Sequence, residues 1–109
     1  MGLVSPLISV ITVSFNAART IEDTIGSTAA QSVAGIEHII VDGGSTDPTM
    51  AIVAKHRSRL GAVSSGPDKG IYDAMNKGLA AARGEYVAYL NADDYYASAD
   101  ALGSLHVAA

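Results

Sequence analysis

The 109-residue sequence has no cysteine, no run of basic residues, no apolar stretch longer than a strand and no glycine-rich phosphate loop. Without cysteine there is neither a disulfide scaffold nor a zinc–thiolate centre, which fits a reducing cytoplasm. The formal net charge is −4, so no electrostatic affinity for nucleic acid or an anionic membrane is expected. The apolar runs fall far short of the roughly 20 residues that span a bilayer. Residues 1–6 lack the cationic start and long apolar stretch of a signal peptide. These features predict a cytoplasmic location. The turn Ser14-Phe15-Asn16-Ala17-Ala18 holds no glycine, and no GxxxxGK[ST] occurs. That argues against dinucleotide and P-loop chemistry. No repeat, low-complexity segment or linker divides the chain, and residues 1–109 are expected to form a single domain.

What is present is a strand–helix alternation. Hydrophobic residues make up 49% of the chain, enough for a core. Residues 7–15 are β-rich and apolar. Thr20-Ile21-Glu22-Asp23 has the form of a capping box, and Ile21, Ile25 and Thr28 continue a helical stripe towards Ser32. A second strand spans residues 36–41. Asp47-Pro48 starts the next helix, with a capping acid and proline at the first helical position. Lys55, His56 and Arg57 suit its C-terminal end. A short third strand covers residues 60–64. Ile71, Ala74, Met75, Gly78, Leu79 and Ala82 predict one apolar helix face within residues 69–83. Residues 85–90 form a buried fourth strand, and residues 98–107 a last helix. Strands alternating with helices predict a parallel α/β sheet. Right-handed crossovers with one switch point give the order 3-2-1-4, with helices on both faces. The crevice then opens beside Asn16 and Asp93.

Two acidic clusters end buried strands, at the edge where open α/β sheets bind ligands. In Asp42-Gly43-Gly44-Ser45-Thr46-Asp47, Asp47 reads best as a helix cap. Asp42 ends the strand, where its carboxylate can accept from an imide N–H or a ribose hydroxyl, and Gly43 and Gly44 allow close backbone approach. In Asn91-Ala92-Asp93-Asp94, two adjacent carboxylates repel unless a cation or hydrogen bonds compensate. A solvated turn and a metal site are balanced readings. Asp68 suits a helix cap and a ligand contact equally. Asp73 and Asn76, three apart, share one side of a helix, and Lys69 is placed for a phosphate or an acid. His38, His56 and His106 have no metal-ligand spacing and read as structural or surface residues. Tyr95-Tyr96 suits stacking on a sugar or base as well as a solvent-facing loop.

Four segments together resemble the N-terminal, nucleotide-sugar-binding half of family 2 glycosyltransferases with the GT-A fold. They are Ile8-Ser9-Val10-Ile11-Thr12-Val13-Ser14-Phe15-Asn16, Ile40-Val41-Asp42-Gly43-Gly44-Ser45-Thr46-Asp47, Pro67-Asp68-Lys69-Gly70-Ile71-Tyr72-Asp73-Ala74-Met75-Asn76-Lys77-Gly78, and Gly84-Glu85-Tyr86-Val87 through Leu90-Asn91-Ala92-Asp93-Asp94. The third is most similar to bacterial enzymes of exopolysaccharide and colanic acid assembly. The resemblance implies a Rossmann-like GT-A half and a nucleotide-sugar site drawn from Val13, Asn16, Asp42, Asp68, Lys69, Asp73, Asn76 and Asp93. It implies Mn²⁺ or Mg²⁺ held by Asp93 and Asp94. It implies transfer from a nucleoside-diphosphate sugar, UDP-linked in most members, to a saccharide or lipid-linked acceptor, at the cytoplasmic face of the inner membrane for a peripherally associated full enzyme. Three positions depart from the family pattern. Gly43 replaces a second Asp, Asn91 replaces the first acid of a D-x-D triplet, and Gly66 replaces an acid before Pro67. Family members also continue past the acidic motif into the acceptor site and general base, so the chain is expected to be a fragment or a truncated product.

Two other functions compete. A nucleotide-sugar-binding module without catalysis matches the short length. A receiver-type signalling domain matches the size but needs its acid pair after the first strand, where this chain has Phe15-Asn16. The fourth strand, apolar on both faces and uncharged after Glu85, lies at a sheet edge in the order 3-2-1-4 and predicts a homodimer through that edge.

Overall fold

Two strands rich in β-branched residues, β1 (Ile8–Ser14) and β2 (Ile36–Asp42), pair in parallel at the centre of the sheet. Both are buried along almost their whole length, as strands covered on two faces must be. The computed structural model describes residues 8–31 and 35–92. Around the central pair lie α1 (Ile21–Ala29), α2 (Thr49–Lys55), a 3₁₀ turn at Arg57–Arg59, β3 (Ala62–Ser65), α3 (Ile71–Ala81) and β4 (Tyr86–Tyr89). The strand order is β3-β2-β1-β4, with every pairing parallel. This is the expected 3-2-1-4 sheet. Among the described residues no helix is long and apolar enough to cross a membrane.

Alternation along the strands sends side chains to two cores. Ile40 packs with Ile21, Ile25, Val53, Leu60 and Ala92 under α1 and α2. Ile11, Ile39 and Val41 pack with Ala74 of α3 on the other face. Three polar pairs lie between the central strands. Ser9 Oγ donates to Glu37 Oε2 at 2.6 Å, Thr12 Oγ1 lies 2.7 Å from His38 Nε2, and Ser14 Oγ donates to Asp42 Oδ1 at 2.8 Å. Burial pushes His38 down to about 4, so it is a neutral core histidine. Glu37 also accepts from the Arg83 backbone N–H and Nε, and Ser9 Oγ accepts from Gly84 N, which ties the α3–β4 turn to the sheet.

Several local expectations change. Thr20 makes no side-chain cap on α1; its hydroxyl turns to Ala92 O instead, at 2.8 Å, because a tertiary acceptor replaces the local amide. Pro48 stands at the cap position of α2 rather than inside it. Asp47 still caps, accepting from Thr49 N at 2.9 Å and from the Thr49 hydroxyl. β3 begins at Ala62, because the Arg57–Arg59 turn occupies the chain before it. The buried stripe of α3 is narrower than its apolar pattern. Ala74 and Gly78 are buried, whereas Ile71 and Leu79 are 53% and 49% exposed. Gly78 explains the close approach, since a Cβ there would lie 2.4 Å from Ile11 Cγ2. β4 is mostly exposed rather than buried, since among the described residues it pairs with β1 alone. The expected helix at residues 98–107, His106 and Tyr95-Tyr96 lie outside the described residues.

Candidate functional site at the carboxyl edge of the sheet

Parallel strands deliver all their following turns to one edge. Here the turns after β1, β2 and β3 interlock through side chains. Asn16 adopts φ 49°, a left-handed conformation that asparagine tolerates. Its N–H donates to Ser45 Oγ at 2.7 Å, and its Oδ1 accepts from Thr46 N at 2.8 Å and Asp47 N at 3.3 Å. Asp47 Oδ2 accepts in return from Ala18 N at 3.1 Å. Asn16 thus fastens the first turn to the second.

Asp42 lies behind this edge, not at its surface. It is 1% exposed. Oδ1 accepts from Ser14 Oγ and from Ser45 Oγ at 2.6 Å; Oδ2 accepts from Gly44 N at 3.0 Å, Ser45 N at 2.8 Å and Ser65 Oγ at 2.9 Å. Burial alone would raise its carboxyl. The donors from Ser45, Ser14 and Ser65 outweigh burial and hold it below the usual carboxylate range. A carboxylate with five donors has its lone pairs engaged. The position expected to touch a nucleoside therefore organises the loop that does face the crevice.

Two cavities open side by side in front of the turns. The larger, about 590 Å³, is bounded by Val13, Phe15, Asn16, Arg19, Thr20 and the strand end at Asn91-Ala92, among others. Among the described residues Arg19 is the one charged residue in its wall. The smaller, about 440 Å³, is lined by Val13, Ser14, Phe15, Gly43, Asp68, Gly70 and Ile71. Among the described residues Asp68 is the one charged residue in that wall. The two share Val13, Phe15 and Ile71, so they form one crevice with Arg19 at one end and Asp68 at the other.

The structure brings Val13, Asn16 and Asp68 to this crevice. Lys69, Asp73 and Asn76 line neither cavity. Asp73 instead reaches back along α3: its Oδ2 accepts from Lys69 N at 3.0 Å and lies 3.8 Å from Lys77 Nζ. Asp93 and Asp94 lie outside the described residues. Among the described residues no group of three or more His, Cys, Asp or Glu side chains gathers as a metal site. The residue just before the acid pair is anchored. The carbonyl of Ala92 accepts from Thr20 Oγ1 at 2.8 Å and from Thr24 Oγ1 at 2.9 Å. Sequence reasoning missed Phe15, Arg19 and Thr20. Phe15 carried a usable signal, as the single phenylalanine of the chain, set where a strand ends. Arg19 and Thr20 carried none, since only the fold turns that loop towards the crevice.

Comparison with known proteins agrees with this arrangement. The Glycosyl transferase family 2 model matches residues 9–105. An uncharacterised glycosyltransferase of Mycobacterium tuberculosis (strain H37Rv) is 40% identical over 97 residues, covering 88% of this chain and 37% of its own length. The Escherichia coli UDP-Glc:alpha-D-GlcNAc-diphosphoundecaprenol beta-1,3-glucosyltransferase WfaP is 36% identical over 101 residues, covering 92% and 40%. The chain thus spans about two fifths of the length of these relatives. The crystal structure of S. aureus TarS in complex with UDP-GlcNAc superposes with a TM-score of 0.84 at 31% identity, over 93% of this chain and 30% of that one. The mannosyltransferase PcManGT of Pyrobaculum calidifontis, in complex with GDP-Man and Mn²⁺, gives 0.81 at 28% identity, over 92% and 31%. The sheet is that of the GT-A glycosyltransferases, and the chain belongs to glycosyl transferase family 2.

Proposed function

We propose that this chain is the donor-binding domain of a glycosyltransferase, holding a nucleoside-diphosphate sugar for transfer to a saccharide or lipid-linked acceptor in cell-surface polysaccharide synthesis. The observation that carries the reading is the two-ended crevice at the β1–β4 switch point, where open α/β sheets bind nucleotides. Arg19 offers a cation to a diphosphate at one end. Phe15 and Ile71 offer apolar faces in the shared wall. TarS binds UDP-GlcNAc and PcManGT binds GDP-Man with Mn²⁺, which supports a nucleotide-sugar ligand and a divalent cation here. By resemblance the cation, Mn²⁺ or Mg²⁺, belongs to Asp93 and Asp94, and when bound it would offset the charge of the diphosphate leaving group. Ala92, the residue before that pair, is held by two hydroxyls.

The chain's own residues bind and orient the donor. Asn16 and Asp42 hold the turns in place, and by resemblance Lys69, just before α3, and Asp73 and Asn76 on α3 belong to the donor site, although they line neither cavity. Acceptor deprotonation is assigned to none of them. The reading places the enzyme in the cytoplasm, at the inner face of the membrane. Calorimetric titration with UDP in Mn²⁺ and then in EDTA tests the donor site. Metal-dependent binding is expected, and equal affinity in both would remove the metal role. Turnover of labelled UDP-sugar, with and without a saccharide acceptor, separates a transferase from a module that only binds.

A further inference from the structure

Resting on the donor-binding reading above, we propose that Asp68 is the base-specificity residue: its Oδ2 accepts the ring N–H on the pairing edge of uracil or guanine, with the base against Phe15. Four observations converge. Phe15 is 61% exposed and lines both cavities; a flat aromatic at this exposure gives a base a stacking partner. Asp68 Oδ1 is engaged by Gly70 N at 3.1 Å, whereas Oδ2 accepts no hydrogen bond among the described residues. Gly43 makes the room, because a Cβ there would lie 3.0 Å from Asp68 Oδ2 and 3.5 Å from the Phe15 ring. Any side chain at 43 would therefore press on the Asp68 carboxylate and touch the Phe15 ring. Finally, Asp42 behind the wall is sealed by its five donors, and among the described residues Asp68 is the carboxylate of this wall with a free oxygen.

The chemistry sets the preference. Uracil N3 and guanine N1 carry a hydrogen at neutral pH. Cytosine N3 and adenine N1 carry a lone pair, which a carboxylate oxygen repels. A site whose acceptor meets another acceptor loses a hydrogen bond and gains repulsion, and charged acceptors make the larger difference. The diphosphate, at the Arg19 end, should not sense this choice.

The test is calorimetric titration of the full chain, in Mn²⁺, with UDP, GDP, CDP, ADP and inorganic pyrophosphate. The wild-type chain should bind UDP and GDP on the order of tenfold more tightly than CDP and ADP. Asp68→Asn keeps a carbonyl oxygen for Gly70 N and turns an amide N–H₂ towards the base. It should lose the preference or reverse it towards CDP, with pyrophosphate affinity unchanged. Gly43→Ala should weaken all four nucleotides and spare pyrophosphate. Asp68 is half-buried, so circular dichroism of the variant should match wild type. An unchanged base preference in Asp68→Asn, with pyrophosphate bound normally, would overturn the assignment while leaving the donor site intact. A wild-type chain that binds neither nucleotide nor pyrophosphate would overturn the donor reading and this assignment together.

Discussion

The hydroxyl of Thr24 donates to the carbonyl of Ala92 at 2.9 Å, across 68 positions of sequence. Thr20, one helical turn earlier, donates to the same oxygen. Both lone pairs of a nearly buried carbonyl are thereby satisfied by α1 and the residue that precedes it. Thr24→Val keeps the shape of the side chain and removes one donor. It should cost about 1 kcal/mol by urea denaturation, and the Thr20→Val, Thr24→Val pair about 1–3 kcal/mol more, because the carbonyl is then orphaned. Mn²⁺-dependent UDP binding should weaken in the pair, and Thr24→Ser should restore it. Wild-type binding in the double valine variant would show that α1 does not position the acidic motif.

Asp42 should behave as a loop organiser. Asp42→Asn places an amide among five donors, leaving at least one N–H pointing at another. A loss on the order of 2–4 kcal/mol in stability is expected from the broken charged hydrogen bonds. UDP and pyrophosphate affinities should fall by a common factor. A loss confined to UDP would instead place the carboxylate on the nucleoside.

Acid should destabilise the chain through His38 before it reaches the carboxylates. The folded state holds this ring neutral down to about 4, against an ordinary value of 6.5. The unfolded chain therefore takes up the proton first, and stability present above pH 6.5 is lost as pH falls towards 4. The full loss is on the order of 3 kcal/mol. Denaturant midpoints at pH 7.5, 6 and 5 should fall in wild type and stay nearly level in His38→Gln.

Gly78→Ala sets two effects against each other. Alanine favours a helix over glycine by about 1 kcal/mol. Its methyl would meet Ile11 Cγ2 at 2.4 Å, and overpacking costs about 1–3 kcal/mol. Packing should win, so the melting temperature should fall. A rise would mean that α3 can move outward freely.

The β4 edge is expected to carry a homodimer. β4 is uncharged, and Val87 and Tyr89 are 36% and 46% exposed. Sedimentation of the wild-type chain at micromolar concentration should show dimers or larger species, and Val87→Lys should reduce them. A monomer throughout would rule the interface out.

Much of this fold was legible because periodicity speaks for elements and parallel strands speak for their order. Residues 36–41 and the Ile21–Ile25 stripe needed nothing more. The site was legible only in part. Asp68 and Asn16 could be placed at strand ends by counting. That Asp42 is sealed could not be read, because Ser14 and Ser65 come from other strands and only pairing brings their hydroxyls to it. The widths of the α3 and β4 contacts failed for a related reason. Apolar spacing says which side chains can be buried, not how much of the molecule is there to bury them.

The polar pairs between the central strands also fix alignment. Ser9 stands opposite Glu37, and Ser14 opposite Asp42, at either end of one ladder. A one-residue slip would exchange the faces of every side chain. A two-residue slip would keep the faces but bury both carboxylates away from their hydroxyls, at a cost that apolar contacts could not offset. A sheet of isoleucine and valine alone would tolerate such a shift. Here the hydroxyls act as index marks, and the turn carrying Gly43 meets the turn carrying Phe15 because the strands can be read against each other in only one way.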